Sequence, residues 1–302
     1  MENSFKAGFV TVIGRPNAGK STLINKLIGE KVAITSPRPQ TTRKNQLGIL
    51  NGDNYQIVFI DTPGIHSPKN KLGEYMVKSA NDAMTATDVI IFLYDATENE
   101  VSQANEELLA RVAAVDAKKL LVITKIDLVE KEKLLTIIGR ISGNYNFDSI
   151  IPVSALKNDG LDIVVNELLE MIPESPPFYD EDIYTVSTVR DIAAEIIREK
   201  ILYFTNEEVP HGTGVEIIAF SEPRNKKLAV TIEANVYCEK ASHKGILIGK
   251  DGAMLRRIGS SARSDIEKLC GRKVNLKLWV KVSDDWRNKG RMLRELGYKD
   301  EQ

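Results

Sequence analysis

The sequence predicts an α/β domain, with a mostly parallel sheet and helices on both faces, followed by a smaller α+β domain. Three observations predict this. Apolar runs recur at 86–97, 118–127 and 149–156, and helical patterns at 71–84, 101–114, 130–142 and 159–171 alternate with them. Near-continuous apolar runs mark strands covered on both faces, and alternation with helices builds a parallel sheet. The stretch PESPPFYDED (173–182) breaks the alternation with three prolines and an acidic run, a stiff boundary. Charge then changes sign. Residues 221–302 hold 19 Lys/Arg against 11 Asp/Glu, whereas all 302 residues together carry a net charge of −1. An acidic front and a basic back point to a polyanion as partner of the back.

Taken in order, FVTVI (9–13) reads as a buried strand. Gly14, Arg15, Pro16, Asn17, Ala18, Gly19, Lys20 and Ser21 follow and fit the phosphate-binding pattern G-x-x-x-x-G-K-[ST]. A helical rhythm runs from Thr22 to Gly29. Strand, glycine loop and helix converge backbone N–H groups on phosphate oxygens. Lys20 is then placed to reach the β- and γ-phosphates and Ser21 to ligate Mg²⁺. Residues 31–46 are polar and long for a structureless loop, hence functional or mobile. Within them Gln40, Thr41, Thr42, Arg43 and Lys44 are expected to fold over a nucleotide.

A β-hairpin is expected next, with its turn at Asn51-Gly52-Asp53. Its second arm ends in Asp61-Thr62-Pro63-Gly64 and then Ile65. Asp61 is expected to hold Mg²⁺ through water, and the Gly64 N–H to meet a γ-phosphate. His66 reads as a surface-loop histidine. Thr124-Lys125-Ile126-Asp127 ends a later strand. A carboxylate there accepts two hydrogen bonds from guanine, and adenine would leave it unpaired; sites built this way discriminate by roughly 10⁴ or more. The Lys125 stem is expected to pack over the purine. Ser154, Ala155 and Leu156 end another strand, where a backbone N–H can reach guanine O6.

In the back half, a helix is expected over 186–205, with Val189, Ile192, Ala193, Ile196, Ile197 and Ile201 as one apolar stripe. Two strands pair around Pro223-Arg224-Asn225. Then come Lys244, Gly245, Ile246, Leu247, Ile248, Gly249, Lys250, Asp251 and Gly252, a basic G-x-x-G turn, and a helix carrying Arg256 through Leu269; a strand at 272–282 closes the domain. The glycines let the backbone press on nucleic-acid phosphates, and Ile246–Ile248 are expected to floor a groove for unstacked bases. Trp286 and Tyr298 in the tail fit either base stacking or an ordinary terminal helix. Cys238 and Cys270 have no disulfide or metal spacing and read as buried thiols. No signal-peptide pattern or bilayer-length apolar run is present, so a cytoplasmic chain is expected. The boundaries expected are 1–172, a linker at 173–185, 186–282 and a tail at 283–302.

GRPNAGKS, TT, DTPG, TKID and SAL occur in the order and spacing of the translation-factor-like GTPases, a resemblance covering residues 8–172. It implies a P-loop GTPase domain with Ser21, Thr42 and Asp61 at Mg²⁺. Lys20, Thr42 and Gly64 become candidate catalytic positions, and 31–46 and 61–80 the two switches. Thr124 stands where the commoner pattern has Asn, and being shorter it is not expected to brace the loop in the same way. Ile65 stands where other members carry a water-orienting glutamine, so hydrolysis needs another device or a partner. Asn17 is similar to an asparagine that in some relatives ligates an activating K⁺. Residues 186–282 resemble the type II K homology (KH) fold, whose natural ligand is single-stranded RNA. Together the two domains resemble the bacterial ribosome-assembly GTPases. That resemblance implies binding to the 3′ end of 16S rRNA, a role in small-subunit assembly, a monomer, and peripheral attachment to the inner membrane. The competing reading is a membrane-associated regulatory GTPase whose output is a protein or membrane partner.

Overall fold

The structure, a computed structural model, describes residues 4–36, 38–65, 67–98, 101–225 and 227–298. Two compact units form: Met1–Ala33, Thr42–Ser67 and Met76–Val186 make the first, and Ile34–Thr41, Pro68–Tyr75 and Ser187–Gln302 the second.

The first unit is an α/β sheet. Its strands are β1 (Lys6–Gly14), β2 (Gln46–Gly52), β3 (Tyr55–Asp61), β4 (Val89–Asp95), β5 (Lys118–Thr124) and β6 (Ser149–Val153), in the order β2-β3-β1-β4-β5-β6. Only β2 runs antiparallel, as the first arm of the hairpin. Gly52 pairs with Tyr55, so the turn is Asp53-Asn54, one step beyond the glycine. Helices α1 (Lys20–Ile28), α2 (Lys71–Thr85), α3 (Gln103–Ala113) and α4 (Lys131–Ser142) connect the strands, and α5 (Leu161–Met171) follows β6.

Strand β4 shows why its sequence is apolar throughout. All seven of its residues are buried. Alternation sends Val89, Ile91 and Leu93 to one face, against Leu23, Ile24 and Leu27 of α1 and Val164 and Leu168 of α5. Ile90, Phe92 and Tyr94 go to the other, against Ala80, Met84, Leu108, Leu109, Val112, Ile137 and Ile141. Each fully buried aliphatic side chain contributes about 1.5–3 kcal/mol of transfer free energy, so two covered faces supply the drive for the layered fold.

The proline-rich segment lies along the sheet edge within this unit. The buried Gln56 amide oxygen accepts from the Phe178 and Tyr179 N–H groups at 2.7 and 3.0 Å, and its nitrogen donates to the Tyr179 carbonyl at 2.9 Å. Ile49 N–H donates to the Tyr184 carbonyl at 2.9 Å. Phe178 packs against Phe9, the rings tilted by 35° with centroids 4.8 Å apart. These contacts hold the segment as a strap.

The second unit contains α6 (Val189–Phe204), β7 (Gly214–Ser221), β8 (Val230–Cys238), α7 (Ala241–Ile248), α8 (Ala253–Cys270), β9 (Val274–Val282) and α9 (Gly290–Glu295). The sheet order is β7-β8-β9; β7 and β8 are antiparallel, β8 and β9 parallel. The α7–α8 pair is the crossover that a parallel connection requires. Thr188 caps α6 by accepting from the Asp191 N–H. The stripe on α6 buries Ala193, Ile196, Ile197 and Ile201 against the sheet, while Val189 stays exposed.

The tail resolves against base stacking. Trp286 is fully buried and its Nε1 donates to the Gly212 carbonyl at 2.9 Å. Tyr298 is buried and stacks on it with centroids 6.4 Å apart. Both rings are core. Cys238 is buried, as expected, but Cys270 is only half-buried.

Candidate functional site

β1 delivers Gly14 to the carboxyl edge of the sheet and α1 starts at Lys20, so Arg15–Gly19 form the loop between them. A Cβ on Gly14 would stand 2.8 Å from the Leu93 carbonyl oxygen, and Gly19 has φ +97°, a left-handed conformation. Both positions therefore require glycine. No side chain caps α1 and its first turn has no acid, which leaves the N-terminal N–H groups to an external anion. Lys20 Nζ bends over the loop and donates to the carbonyls of Gly14 and Arg15 at 3.0 and 3.1 Å.

Beside the loop, three oxygens converge. Ser21 Oγ donates to Asp61 Oδ2 at 2.6 Å, Thr42 Oγ1 to the same oxygen at 3.1 Å, and the two hydroxyls stand 3.1 Å apart. All three residues are buried. Asp61 Oδ1 is buried with no hydrogen-bond partner. Burial pushes Lys20 down to about 8, against the opposing pull of Asp61. Burial raises the Asp61 carboxyl, against Lys20, Ser21 and Thr42. Phosphate oxygens at Lys20 and a divalent cation at Asp61 would relieve both. The donor set suits Mg²⁺, which takes one or two carboxylates and completes its octahedron with water and substrate phosphates. Among the described residues no cluster of three or more His, Cys, Asp or Glu offers a metal site elsewhere.

Thr62 Oγ1 donates to the Val12 carbonyl at 2.7 Å and fastens the segment after β3 to β1. A Cβ on Gly64 would lie 3.0 Å from the Pro16 ring, so glycine lets this turn close on the phosphate loop. Ile65 packs into the core with Ile13, Ala80 and Met84. Its side chain is thus withdrawn from any nucleotide, a correction to its inclusion among the binding residues except through backbone. His66 lies outside the described residues.

The Thr124 expectation is also corrected. Its hydroxyl donates to the Ala18 carbonyl of the phosphate loop at 2.8 Å and lies 3.2 Å from the Tyr94 carbonyl. The shorter side chain does brace the loop, because β5 ends close enough to reach it. This bond also ties the phosphate loop to the turn that carries Asp127. Lys125 has φ 59° and its Nζ pairs with Asp95 Oδ2 at 2.5 Å, which fixes the stem. Burial would raise Asp95, but hydrogen bonds from Lys125 and Thr97 outweigh it and hold the carboxyl low. Asp127 is exposed, with Oδ1 accepting from the buried Ser154 Oγ at 2.6 Å. Leu156 projects into solvent. Ala155 lies between them, partly buried.

In the second unit Gly249, Asp251 and Gly252 take φ of 72°, 50° and 75° between α7 and α8. Lys250 and Asp251 are exposed on the turn, as is Gly245 before it, and Lys244 is half-buried. A groove of about 420 Å³ opens beside the turn, lined by Gly252, Leu255, Arg256, Gly259, Ser260, Arg263, Leu276 and Leu278. The floor is therefore on α8 and β9. Leu247 is fully buried in the core and Ile248 packs against it; Ile246 is exposed but outside the groove lining. Of the three residues expected to floor a groove for bases, α7 turns Leu247 and Ile248 inward and leaves Ile246 exposed.

Comparison with known proteins agrees with this geometry. A family model described as 50S ribosome-binding GTPase matches residues 9–125, and one described as KH domain matches 208–287. GTPase Era of Ruminiclostridium cellulolyticum is 49% identical over 296 residues, covering 98% of both chains. GTPase Era of Alkaliphilus metalliredigens is 46% identical over 98% of this chain and 99% of its own. The chain belongs to the GTPase Era family. Its structure overlays with a TM-score of 0.93, at 39% identity, on Era in complex with MgGDPNP and nucleotides 1506–1542 of 16S ribosomal RNA. That match covers 97% of this chain and 99% of the other. Aquifex aeolicus Era bound to GDP and AlF₄⁻ matches with the same score and coverage.

Two features of this Era-family chain escaped the motif reading. Asp95, which holds Lys125, ends the apolar run of β4; an acid closing a buried strand was the available signal. Arg263 extends a face with Gly252, Arg256 and Gly259 at spacings of four, three and four, one side of a helix. That pattern was legible once α8 was assigned.

Proposed function

We propose that this Era-family GTPase binds Mg²⁺-GTP in the first unit and the 3′ end of 16S rRNA in the groove of the second, and acts in assembly of the small ribosomal subunit. The observation that carries the RNA reading is the full-length likeness to an Era that holds MgGDPNP and nucleotides 1506–1542 of 16S rRNA. The groove with Arg256 and Arg263 supports it. In the nucleotide site, the loop N–H groups and Lys20 bind phosphate, and Asp127, braced by Ser154, selects guanine. Ser21, Thr42 and Asp61 would hold Mg²⁺. When bound, that ion neutralises charge developing on the phosphates. Gly64 brings the turn after β3 against the phosphate loop, where its N–H orients the terminal phosphate. Thr42 and Gly64 close when GTP orders the two switches, and that ordering changes how the second unit grips RNA.

The test is titration of a 37-nucleotide RNA of the 1506–1542 sequence against the chain, with a scrambled RNA as control. The native RNA is expected to bind at least tenfold tighter, with a salt slope of roughly −0.7 per neutralised phosphate. Equal binding of both RNAs would contradict the assignment.

Ile65 does not orient water, so hydrolysis needs another device. On the family resemblance we propose that Asn17, exposed in the loop at φ 68°, ligates a K⁺ that supplies positive charge in the transition state. Phosphate release is then expected to run faster in KCl than in NaCl; equal rates would remove K⁺. On the family resemblance we extend the reading to a cytoplasmic monomer with peripheral attachment to the inner membrane. Among the described residues no helix is long and apolar enough to cross a membrane. Cell fractionation, with release by salt, checks the attachment, and sedimentation the monomer.

A further inference from the structure

Residues 34–41, the front of the first switch, fold with the second unit. They are fastened there mainly by α6. Arg198 is 1% exposed, and its Nη2 donates to the Thr41 carbonyl. Its Nη1 lies 3.4 Å from the Gln40 carbonyl. Glu195 holds the guanidinium from behind, at 3.1 Å to Nε and 2.5 Å to Nη2. One turn along, Glu199 Oε1 accepts from the Thr35 N–H at 3.0 Å. Arg38 donates to the Thr205 carbonyl at 3.3 Å, and Thr41 Oγ1 to the Arg38 carbonyl at 2.7 Å. Ile34 is buried.

The bonds from Arg198 and to Glu199 grip backbone, not side chains, so they fix where the chain leaves this unit. It leaves after Thr41, and the next residue is Thr42 of the first unit, whose hydroxyl meets Asp61 and Ser21. A buried ion pair is a poor device for stability alone, since apolar packing of the same volume often does as well. What an apolar residue could not do is present a planar fork to two successive carbonyls. Glu199 also pairs with Lys200 at 2.8 Å, and Lys200 with Asp265 of α8, the groove helix, at 2.5 Å.

We infer that Arg198 is a positioning residue for the nucleotide site: by holding the Gln40 and Thr41 carbonyls it sets Thr42, so an arginine of the KH unit governs affinity for Mg²⁺-GTP. This rests on the reading of Thr42 as a metal and γ-phosphate residue. The test compares Arg198→Met, Arg198→Lys and Thr42→Ala in the full chain. The readouts are affinities for a non-hydrolysable GTP analogue and for GDP across a Mg²⁺ titration. Arg198→Met is expected to weaken the analogue about tenfold, the scale of lost charge-assisted bonds, and to raise the Mg²⁺ requirement. GDP affinity should stay within about twofold, and Arg198→Lys should fall between, as a single donor replaces the fork. Parallel loss of analogue and GDP, or no change in either, overturns the inference. If Thr42→Ala lowers analogue affinity while both Arg198 variants match the parent, Arg198 fails alone. If Thr42→Ala changes nothing, the reading of Thr42 fails with it. Should Arg198→Met not fold, Arg198→Lys decides on the same criteria.

Discussion

Asp127→Asn is expected to turn nucleotide preference from GTP toward xanthosine triphosphate, with a change in relative affinity on the order of 10⁴-fold. Asp127 presents a carboxylate whose Oδ1 already accepts from Ser154 Oγ at 2.6 Å. The carboxylate is therefore aimed before any base arrives, and can take guanine N1–H and N2–H₂ together. An asparagine keeps the shape and the Ser154 bond but turns one acceptor into a donor. That donor faces the guanine N2 amino group and leaves both unpaired, a loss roughly equal to desolvating each group without return. Xanthine carries a carbonyl at C2 and restores the match. The Thr124–Ala18 brace is untouched, so phosphate binding stays. Competition of GTP and XTP against a fluorescent guanine nucleotide measures the switch. GTP bound as tightly as by the parent chain would refute base recognition by Asp127.

The second large effect is expected at the G-x-x-G turn. The double replacement Gly249→Asp and Gly252→Asp should lower RNA affinity by two orders of magnitude or more and leave nucleotide affinity within about twofold. Gly249 has φ 72°, and a Cβ there would stand 2.7 Å from the Met254 Cβ, so its replacement displaces the turn. Gly252, at φ 75°, has only Arg256 Nη1 within 4 Å, at 3.4 Å, and its replacement acts mainly through strain and charge. Two carboxylates would stand where phosphates approach, in a groove that Arg256 and Arg263 make positive. Gly252→Asp alone should retain the fold and still cost more than tenfold in RNA affinity. Filter binding at fixed salt, beside nucleotide titration of the same preparations, is the check. Unchanged RNA affinity would place the RNA elsewhere.

How much of this was legible beforehand follows from where each signal sits in the chain. The phosphate loop, the DTPG turn and the TKID turn are local. Each needs a strand end and the few residues after it, and a buried strand announces itself by an unbroken apolar run. The mostly parallel sheet and its helices on both faces follow from alternation. What escaped was non-local. Thr124 looked too short to brace the loop as an asparagine does, because its distance to Ala18 depends on how β1 and β5 flank β4. Leu247 looked like a groove residue, since the rotation of α7 is set by packing against β8 and β9 and not by its own pattern. Trp286 and Tyr298 fitted either base stacking or an ordinary terminal helix, and both prove buried, Trp286 bonded to Gly212. The partners of residues 34–41 lie more than 150 positions away on α6, and no local motif marks a backbone-gripping arginine within an otherwise ordinary amphipathic helix. Electrostatics was legible only as a sum. The basic back was evident, but not that Arg256 and Arg263 share one groove.

We propose that nucleotide in the first unit sets the grip of the second on RNA. The most direct test of this is the affinity of the 1506–1542 RNA for the chain saturated with Mg²⁺ and a non-hydrolysable GTP analogue, against the same chain saturated with GDP. At least tenfold tighter binding is expected in one of the two states, which corresponds to about 1.4 kcal/mol of coupling. Equal affinity in both states would contradict it.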